Sequence, residues 1–279
     1  MKKFLTVLIF TLAILLTLGL LLYPSVSSYV NSLSQSRAVA HYFDDIASVS
    51  NEEAQRMLAE AREYNGELLT KSGRFNPSEE ETARYHELLD AGRGVMGVLM
   101  IDKINVKLPM YHGTDEGVLQ VGLGHMQGTS LPVGGPSTHA FITGHRGLPS
   151  STLLTELDKM VEGDRFILYV LGETMTYEVD NIVTVLPHDV KELNITPGAD
   201  YCTLVTCTPY GINSHRLLVR GTRVDNDVSP QWETIYSGAK RLDKFLTLAV
   251  FMIPLTPLVI TLAFILQRRS ARKGRIALR

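Results

Sequence analysis

Two long uncharged stretches stand towards opposite ends of the chain, at residues 4–22 and 245–266. Each is close to the roughly 20 residues that a helix needs to cross a bilayer, so we predict a transmembrane helix in each. A cleaved signal peptide is the alternative for the first stretch, although its apolar run exceeds the roughly 7 to 15 residues of a typical signal core. The second stretch contains Pro254 and Pro257, which a membrane helix tolerates, and its alternative is a buried core helix.

Basic residues flank both stretches on the side away from the middle of the chain. Lys2 and Lys3 precede the first stretch. Six cations follow the second: Arg268, Arg269, Arg272, Lys273, Arg275 and Arg279. Because such clusters stay in the cytoplasm, we expect both termini there and residues 23–243 on the other face of the membrane.

The middle of the chain begins with helical patterning. Ser50 with Glu53, and Ser78 with Glu81, fit the capping box that begins a helix. The polar loop 70–77 separates the two predicted helices. Apolar residues follow each box at helical spacing, namely Ala54, Met57, Leu58 and Ala61 in the first helix, to about residue 63, and Tyr85, Leu88 and Leu89 in the second. Gly92 and Gly94 stop the second helix.

After Gly94 the pattern changes to short β-rich runs separated by glycine and proline. The predicted strands are residues 95–101, 106–111, 140–143, 165–170, 175–185, 201–207 and 217–224. That many strands at this spacing indicates a mainly β fold with a closed or nearly closed barrel. Residues 117–135 are interpreted as loops around short strands, and residues 151–160 carry the best helical pattern between the strands.

Composition and charge exclude several classes of protein. The mean hydropathy of +0.07 is high for a fully soluble chain, and the two apolar stretches explain it. Without the eight terminal cations the chain has 19 basic against 29 acidic residues, a formal −10, so charge gives no general argument for nucleic-acid binding. Two cysteines cannot form a disulfide scaffold or a four-thiolate zinc site. HExxH, CxxC, GxGxxG, P-loop and GxSxG motifs are absent.

The two cysteines are not a pair. Cys202 and Cys207 lie on one predicted strand, five positions apart, so they point to opposite faces about 16 Å from each other and cannot form a disulfide. Cys202 fits a small buried hydrophobe. Cys207 precedes the turn-rich segment 208–215 and so lies at the end of its strand. A thiol at a strand end is held rigidly but can face a groove. As a nucleophile it needs a nearby base or cation.

Arg216 and a histidine are the candidates to activate Cys207. Arg216 opens the next strand, so a hairpin would bring it beside Cys207; a surface arginine is the alternative. His145 has the best local context of the eight histidines, because it directly follows an apolar strand and stands among glycines. His125 is its main rival, and His215 could orient the loop. Spacing alone does not choose among them.

A resemblance to a known protein family does choose among these histidines. Residues 203–221, TLVTCTPYGINSHRLLVRG, resemble the sortases, and specifically the class C, pilin-polymerising branch of Gram-positive bacteria. The likeness continues in LPMYHGT, GHMQGTSLPVGG and TGHRGLP, and covers about residues 95–225. It implies an eight-stranded sortase barrel with an N-terminal helical and lid segment, and the hydrophobic segment after the barrel is also typical of this branch. The catalytic Cys, His and Arg of the family fall on Cys207, His145 and Arg216.

The resemblance also implies a reaction. Cys207 attacks the Thr-Gly carbonyl of an LPXTG-like sorting signal on a pilin subunit or another surface protein. His145 is the general acid and base, and Arg216 positions the substrate and stabilises the oxyanion. A lysine amine of another pilin resolves the thioacyl enzyme as an isopeptide bond, without a metal or organic cofactor. The alternatives are a housekeeping-type sortase that anchors proteins to peptidoglycan and a non-catalytic pilus assembly scaffold.

Class C enzymes commonly carry an Asp-Pro-aromatic lid over the active site. The matching positions are Phe75, Asn76, Pro77 and Ser78, so the acid and the aromatic are both missing. Ser78 is alternatively the helix cap, with the aromatic deleted, and Phe75 could partly substitute. Either alignment removes the charged contact with Arg216 and the ring over Cys207, so we predict a weaker closure than in the family.

These expectations divide the chain into six segments, with the catalytic part outside the cell and anchored to its membrane. They are a transmembrane signal anchor (1–24), an extracellular helical and lid-like segment (25–93), the sortase barrel (94–228), a juxtamembrane linker (229–244), a C-terminal transmembrane helix (245–267) and a basic cytoplasmic tail (268–279).

Overall fold

Eight strands close into a barrel in this computed structural model, which describes residues 2–189 and 191–226. The strands are β1 (Val95–Ile101), β2 (Val106–His112), β3 (Leu123–His125), β4 (Thr138–Thr143), β5 (Arg165–Val170), β6 (Glu173–Val185), β7 (Asp200–Thr208) and β8 (His215–Val224). Their order around the barrel is β1-β2-β3-β4-β7-β8-β6-β5, and β5 closes onto β1. The predicted linker, second transmembrane helix and basic tail lie outside the described residues.

Strand direction brings the ends of β4 and β7 to one end of the barrel. The β4–β7 and β2–β3 pairs are parallel, and the other pairs are antiparallel. Thr143, the last residue of β4, lies beside Val205 in β7. The residues that follow Thr143 therefore lie next to the end of β7, and β8 begins at this same end because it is antiparallel to β7.

Seven of the eight strands match a predicted run to within two residues at each end. The eighth, β3, has only three residues, Leu123–His125, and falls in the stretch interpreted as loops around short strands. Alternation of polar and apolar residues cannot reveal so short a strand. Inward-facing residues of the strands form one apolar core, which Leu204, Val219 and Cys202 join without any exposed surface.

Helix α1 (Lys2–Ser48) extends well beyond the predicted signal anchor at residues 1–24. It passes through Pro24 without a break, and within the described ranges it is the one helix long and apolar enough to cross a membrane. Its last turns pack on β1 and β5 through Val39, Tyr42 and Phe43. The Tyr42 hydroxyl donates to the Met96 carbonyl (3.2 Å) and accepts from the Leu171 N–H (3.0 Å). The last turns of α1 are therefore firmly packed against the barrel wall.

The two capped helices form, with different ends from those predicted. Helix α2 (Asn51–Leu68) runs further than residue 63, and Ser50 accepts from the Glu53 N–H as its N-cap. Helix α3 (Glu79–Glu87) has both bonds of the capping box and stops before Leu88, which is extended. A short helix α4 (Glu116–Val121) lies between β2 and β3.

The best helical pattern between the strands, at residues 151–160, does not form an α-helix. Only a single 3-10 turn, Leu157–Lys159, forms there. Leu153 has a positive φ of 38°, which is incompatible with a helix. The apolar residues of this loop, among them Leu154 and Met160, are instead buried in the barrel core. Their spacing along the sequence resembles that of a helix, but here it reflects successive side chains of a loop that are buried in the core.

Candidate active site

Cys207 lies near the end of β7 and faces Arg216 across the hairpin. The two residues are direct partners in the antiparallel register of β7 and β8. Cys207 is partly exposed, whereas Cys202 is fully buried on the inner face. Burial raises the pKa of the Cys202 thiol well above its ordinary value, so this thiol stays protonated. Both cysteines are free, and the strand keeps them on opposite faces.

His145 lies beside Cys207 because the pairing of β4 with β7 continues past the last residue of β4. The Gly144 N–H donates to the Val205 carbonyl (3.0 Å), and Thr206 Oγ1 donates to the Gly144 carbonyl (2.8 Å). Extended two residues beyond Thr143, this register places residue 145 near the level of residue 207, about 5 Å from the neighbouring strand. The structure thus brings the three predicted catalytic residues to one end of the barrel.

One ring nitrogen of His145, the Nε2 atom, is buried and has no hydrogen-bond partner among the described residues. Glu116 Oε2 lies 3.7 Å from it, and Gln120 Nε2 holds the other oxygen of that carboxylate at 3.1 Å. The sequence analysis missed Glu116. It belongs to α4, far from His145 along the chain, and no motif marks it.

Arg216 keeps part of its guanidinium free. Its Nη1 donates to the carbonyls of Asn213 (3.2 Å) and His215 (3.1 Å), which tie the side chain to the turn between β7 and β8. In the part of the chain that the structure describes, no acceptor binds Nε or Nη2. These donors belong to the residue that is paired with Cys207 across the hairpin.

The two rival histidines have other contacts. His125 is fully buried, where its Nε2–H donates to the Ser130 carbonyl (2.8 Å) and its Nδ1 accepts from the Tyr85 hydroxyl (2.9 Å). Burial lowers the pKa of His125 to about 4, so the ring is neutral and joins α3 to β3. His215 bonds to the hydroxyl of its neighbour Ser214.

An apolar strip begins beside the Cys207–Arg216 pair on the outer face of the barrel. Val205 is two residues before Cys207 and Leu218 two residues after Arg216, so each shares the face of its neighbour. Both pack with Phe141 of β4. Partly buried side chains extend this cluster: Met126, Val183, Val185 and Leu193.

His139 joins the far end of this outer face to the loop between β6 and β7. Its Nδ1–H donates to the Asn194 carbonyl (2.9 Å), and its Nε2 accepts from Thr203 Oγ1 (2.7 Å). Burial lowers the pKa of His139 to about 4. The neutral ring therefore holds the loop that borders the apolar strip.

Phe75 and the residue before the lid positions, Arg74, contact the loops at the rim. Arg74 Nη2 donates to the Leu193 carbonyl (2.6 Å), and its guanidinium stacks on the Phe75 ring at 4.8 Å. The Phe75 ring also packs closely on Gly128, in the loop between β3 and β4, yet Phe75 remains 45% exposed. The lid segment thus touches both the β3–β4 loop and the β6–β7 loop.

The remaining lid positions form local contacts. Asn76 N–H closes a turn onto the Gly73 carbonyl (2.8 Å), and Ser78 is the N-cap of α3. Across the two described ranges, no hydrogen bond or ion pair joins residues 75–78 to Cys207 or Arg216. The same ranges contain no group of three or more His, Cys, Asp or Glu residues able to hold a metal ion.

Comparison with known proteins agrees with this fold. The sortase domain model matches residues 99–224. The crystal structure of sortase C1 from Streptococcus agalactiae is 48% identical, with a TM-score of 0.67, over 68% of this chain and 100% of that one. Sortase C from Streptococcus pneumoniae is 44% identical, with a TM-score of 0.60, over 67% of this chain and 97% of that one. Sortase D from Bacillus subtilis is 25% identical over 178 residues, which are 63% of this chain and 86% of that protein.

The barrel and these relatives together define the class of protein: the chain belongs to the sortase family and is a cysteine transpeptidase. Within that family, its solved neighbours at 44% and 48% identity are class C sortases.

Proposed function

We propose that this sortase joins pilin subunits, with Cys207 as nucleophile, His145 as general acid and base, and Arg216 as oxyanion donor. The register that sets Cys207 opposite Arg216, with residue 145 two positions beyond the end of the neighbouring strand β4, carries the proposal. The crystal structure of the Streptococcus pneumoniae relative bears on pilin substrate specificity, which supports a pilin as the substrate of this chain.

The first half of the reaction is acyl transfer to sulfur. The Cys207 thiolate attacks the threonine carbonyl of an LPXTG-like signal, and the free N–H groups of Arg216 stabilise the oxyanion. The Thr-Gly bond then breaks, and His145 protonates the leaving glycine amine. The product is a thioester between threonine and Cys207. No metal or organic cofactor takes part in the proposed steps.

The second half transfers the acyl group to nitrogen. The amine of a pilin lysine attacks the thioester, His145 accepts the proton that this amine loses, and the Cys207 thiolate leaves. An isopeptide bond replaces the thioester, and the enzyme returns to its starting state. We assign both proton transfers to the Nε2 atom of His145, which makes no hydrogen bond in the described structure and lies 3.7 Å from Glu116 Oε2.

The apolar strip is the proposed floor for the sorting signal. Val205 and Leu218 lie on the face that Cys207 and Arg216 occupy, so an extended apolar peptide on this strip would end at the thiol. The β6–β7 loop, which His139 holds in place, forms one wall. We propose that helix α1 anchors this site to the outer face of the cell membrane, in the order of segments given above.

Trapping the thioester tests the enzymatic proposal. A sorting-signal peptide is incubated with the full chain in detergent micelles, and intact mass is measured with and without Cys207→Ala. We expect an adduct of the acyl fragment on the native chain and none on the variant. Failure with several signal peptides would support a non-catalytic scaffold and contradict the enzymatic proposal.

Co-expression tests the acceptor. With a candidate pilin we expect a ladder of high molecular mass, which disappears with Cys207→Ala. A matched Cys202→Ala variant should keep the ladder, because that thiol lies inside the barrel. A single wall-linked product would instead indicate a housekeeping-type sortase.

A further inference from the structure

Helix α1 contacts the catalytic end of the barrel through Asn31 and Gln35. Asn31 Nδ2 donates to the Ser150 carbonyl (2.8 Å), and Gln35 Nε2 donates to Ser151 Oγ (2.9 Å). Ser150 and Ser151 belong to the connection from β4 to β5, which also contains His145. The catalytic end is therefore the end nearest to the apolar half of α1.

Later residues of α1 contact the opposite end. Tyr42 bonds to Leu171, which lies in the turn between β5 and β6. That turn is the far end of the barrel, because β6 runs from it to Val185, the partner of Arg216. Following α1 from its apolar half, the chain passes the catalytic end first and the far end second.

The rise per residue of helix α1 gives the distance of the catalytic end from the membrane surface. Asn31 is nine residues beyond Leu22, where the uncharged stretch stops, so it lies about 14 Å further along the axis at 1.5 Å per residue. The headgroup layer adds about 5 to 8 Å to each side of the hydrocarbon core. The β4–β5 connection therefore lies within about 10 Å of the headgroups if residues 4–22 span the bilayer.

Two exposed apolar side chains project from this same end. Tyr210 is 62% exposed and Ile212 is 72% exposed, and both lie in the turn between β7 and β8. A Cβ on Gly147 would lie 3.1 Å from the Tyr210 ring, so the turn packs on the connection that contacts α1. A tyrosine beside an exposed aliphatic residue is a combination suited to a membrane interface.

We propose that the β7–β8 turn inserts Tyr210 and Ile212 into the headgroup layer of the membrane that holds α1. The proposal rests on the membrane location given under the proposed function. It makes the turn a further membrane contact, close to Cys207, in addition to the transmembrane segments. The catalytic end then faces the bilayer at a defined height.

Fluorescence quenching in vesicles tests the contact without any catalysis. The single tryptophan of the chain, Trp232, is replaced by phenylalanine, and a new tryptophan is introduced by Ile212→Trp. The matched control is Leu69→Trp, an equally apolar residue, 52% exposed, beside the pocket at the start of β7 and so at the far end of the barrel. Both variants are reconstituted in phosphatidylcholine vesicles with and without lipid brominated near the headgroup end of its chains.

We expect brominated lipid to lower the fluorescence of the tryptophan at position 212 at least twofold and that at position 69 by less than a fifth. Equal quenching at the two positions would overturn the proposal. Because this measurement needs no turnover, its failure would leave the transpeptidase function untouched.

A kinetic measurement distinguishes whether the turn contacts lipid or the substrate peptide. For Ile212→Ser we expect KM for a vesicle-anchored sorting-signal substrate to rise about threefold or more, and kcat/KM for a soluble signal peptide to stay unchanged. If kcat/KM for the soluble peptide falls by the same factor, the turn contacts the substrate peptide and the membrane proposal is wrong.

Discussion

Buried histidines make the fold sensitive to mild acid, because burial lowers the pKa of His125, of His139 and, in the same direction, of His112. His125 and His139 have a pKa of about 4 in the folded protein, against 6.5 for an ordinary histidine. Below pH 6.5 the unfolded chain binds a proton at each position, whereas the folded chain does so only near pH 4. The stability that the folded protein has with these histidines neutral is therefore fully present above pH 6.5 and is lost as the pH falls towards 4.

The size of the effect follows from the two pKa values of each group. At pH 5, protonation of one such histidine stabilises the unfolded chain by about 2 kcal/mol more than it stabilises the folded protein. His125 and His139 together should then lower the free energy of unfolding by about 4 kcal/mol between pH 7.5 and pH 5. Glu67, Glu81 and Asp164 do not disturb this window, because their pKa values are lowered and they stay ionised at pH 5.

Urea unfolding of the full chain in detergent, followed by intrinsic fluorescence at pH 7.5 and pH 5, measures this difference. His139→Asn removes one titrating group and should reduce the loss by about 2 kcal/mol, whatever it does to stability at pH 7.5. His188→Gln is the matched control, because His188 lies exposed in a loop, and it should leave the loss as in the native chain. A His139→Asn variant with the full native loss would refute the reasoning.

Three further outcomes are expected. Tyr42→Phe leaves the Met96 carbonyl and the Leu171 N–H without their partner and should lower the free energy of unfolding by about 1 to 3 kcal/mol in urea at pH 7.5; no change would contradict this. Arg216→Lys keeps the charge but loses the planar donors, so kcat for peptide cleavage should fall about 100-fold or more, and a native rate would exclude the oxyanion role. Phe75→Ala should raise hydrolysis of a free signal peptide less than threefold, since the lid positions have no bond to the catalytic pair; a large rise would show that our expectation of weak closure is wrong.

The barrel and the Cys207–Arg216 hairpin could be predicted because they depend on local patterns. Alternation defines β7 and β8, and the turn-rich residues between them leave only a hairpin that returns Arg216 to Cys207. Residue 145 falls beside this pair through a parallel pairing across more than 50 residues of chain, so only the family resemblance chose His145.

Contacts between distant segments could not be predicted. Glu116 of α4 approaches His145 to 3.7 Å from a distant part of the chain, and no periodicity in the sequence predicts that approach. The continuation of α1 past Pro24 depends on packing against β1 and β5, which an isolated sequence window does not contain. The apolar spacing in residues 151–160 was misleading for the same reason, since burial in the core overrode helical preference.

The opposite orientations of the two cysteines also determine how the enzyme responds to oxidants. If peroxide converts Cys207 to a sulfenic acid, a second thiol is required to capture it as a disulfide before further oxidation. Cys202 is the only other cysteine of the chain, and it is sealed inside the barrel on the far face of the same strand. Repair of an oxidised Cys207 must therefore come from an external thiol.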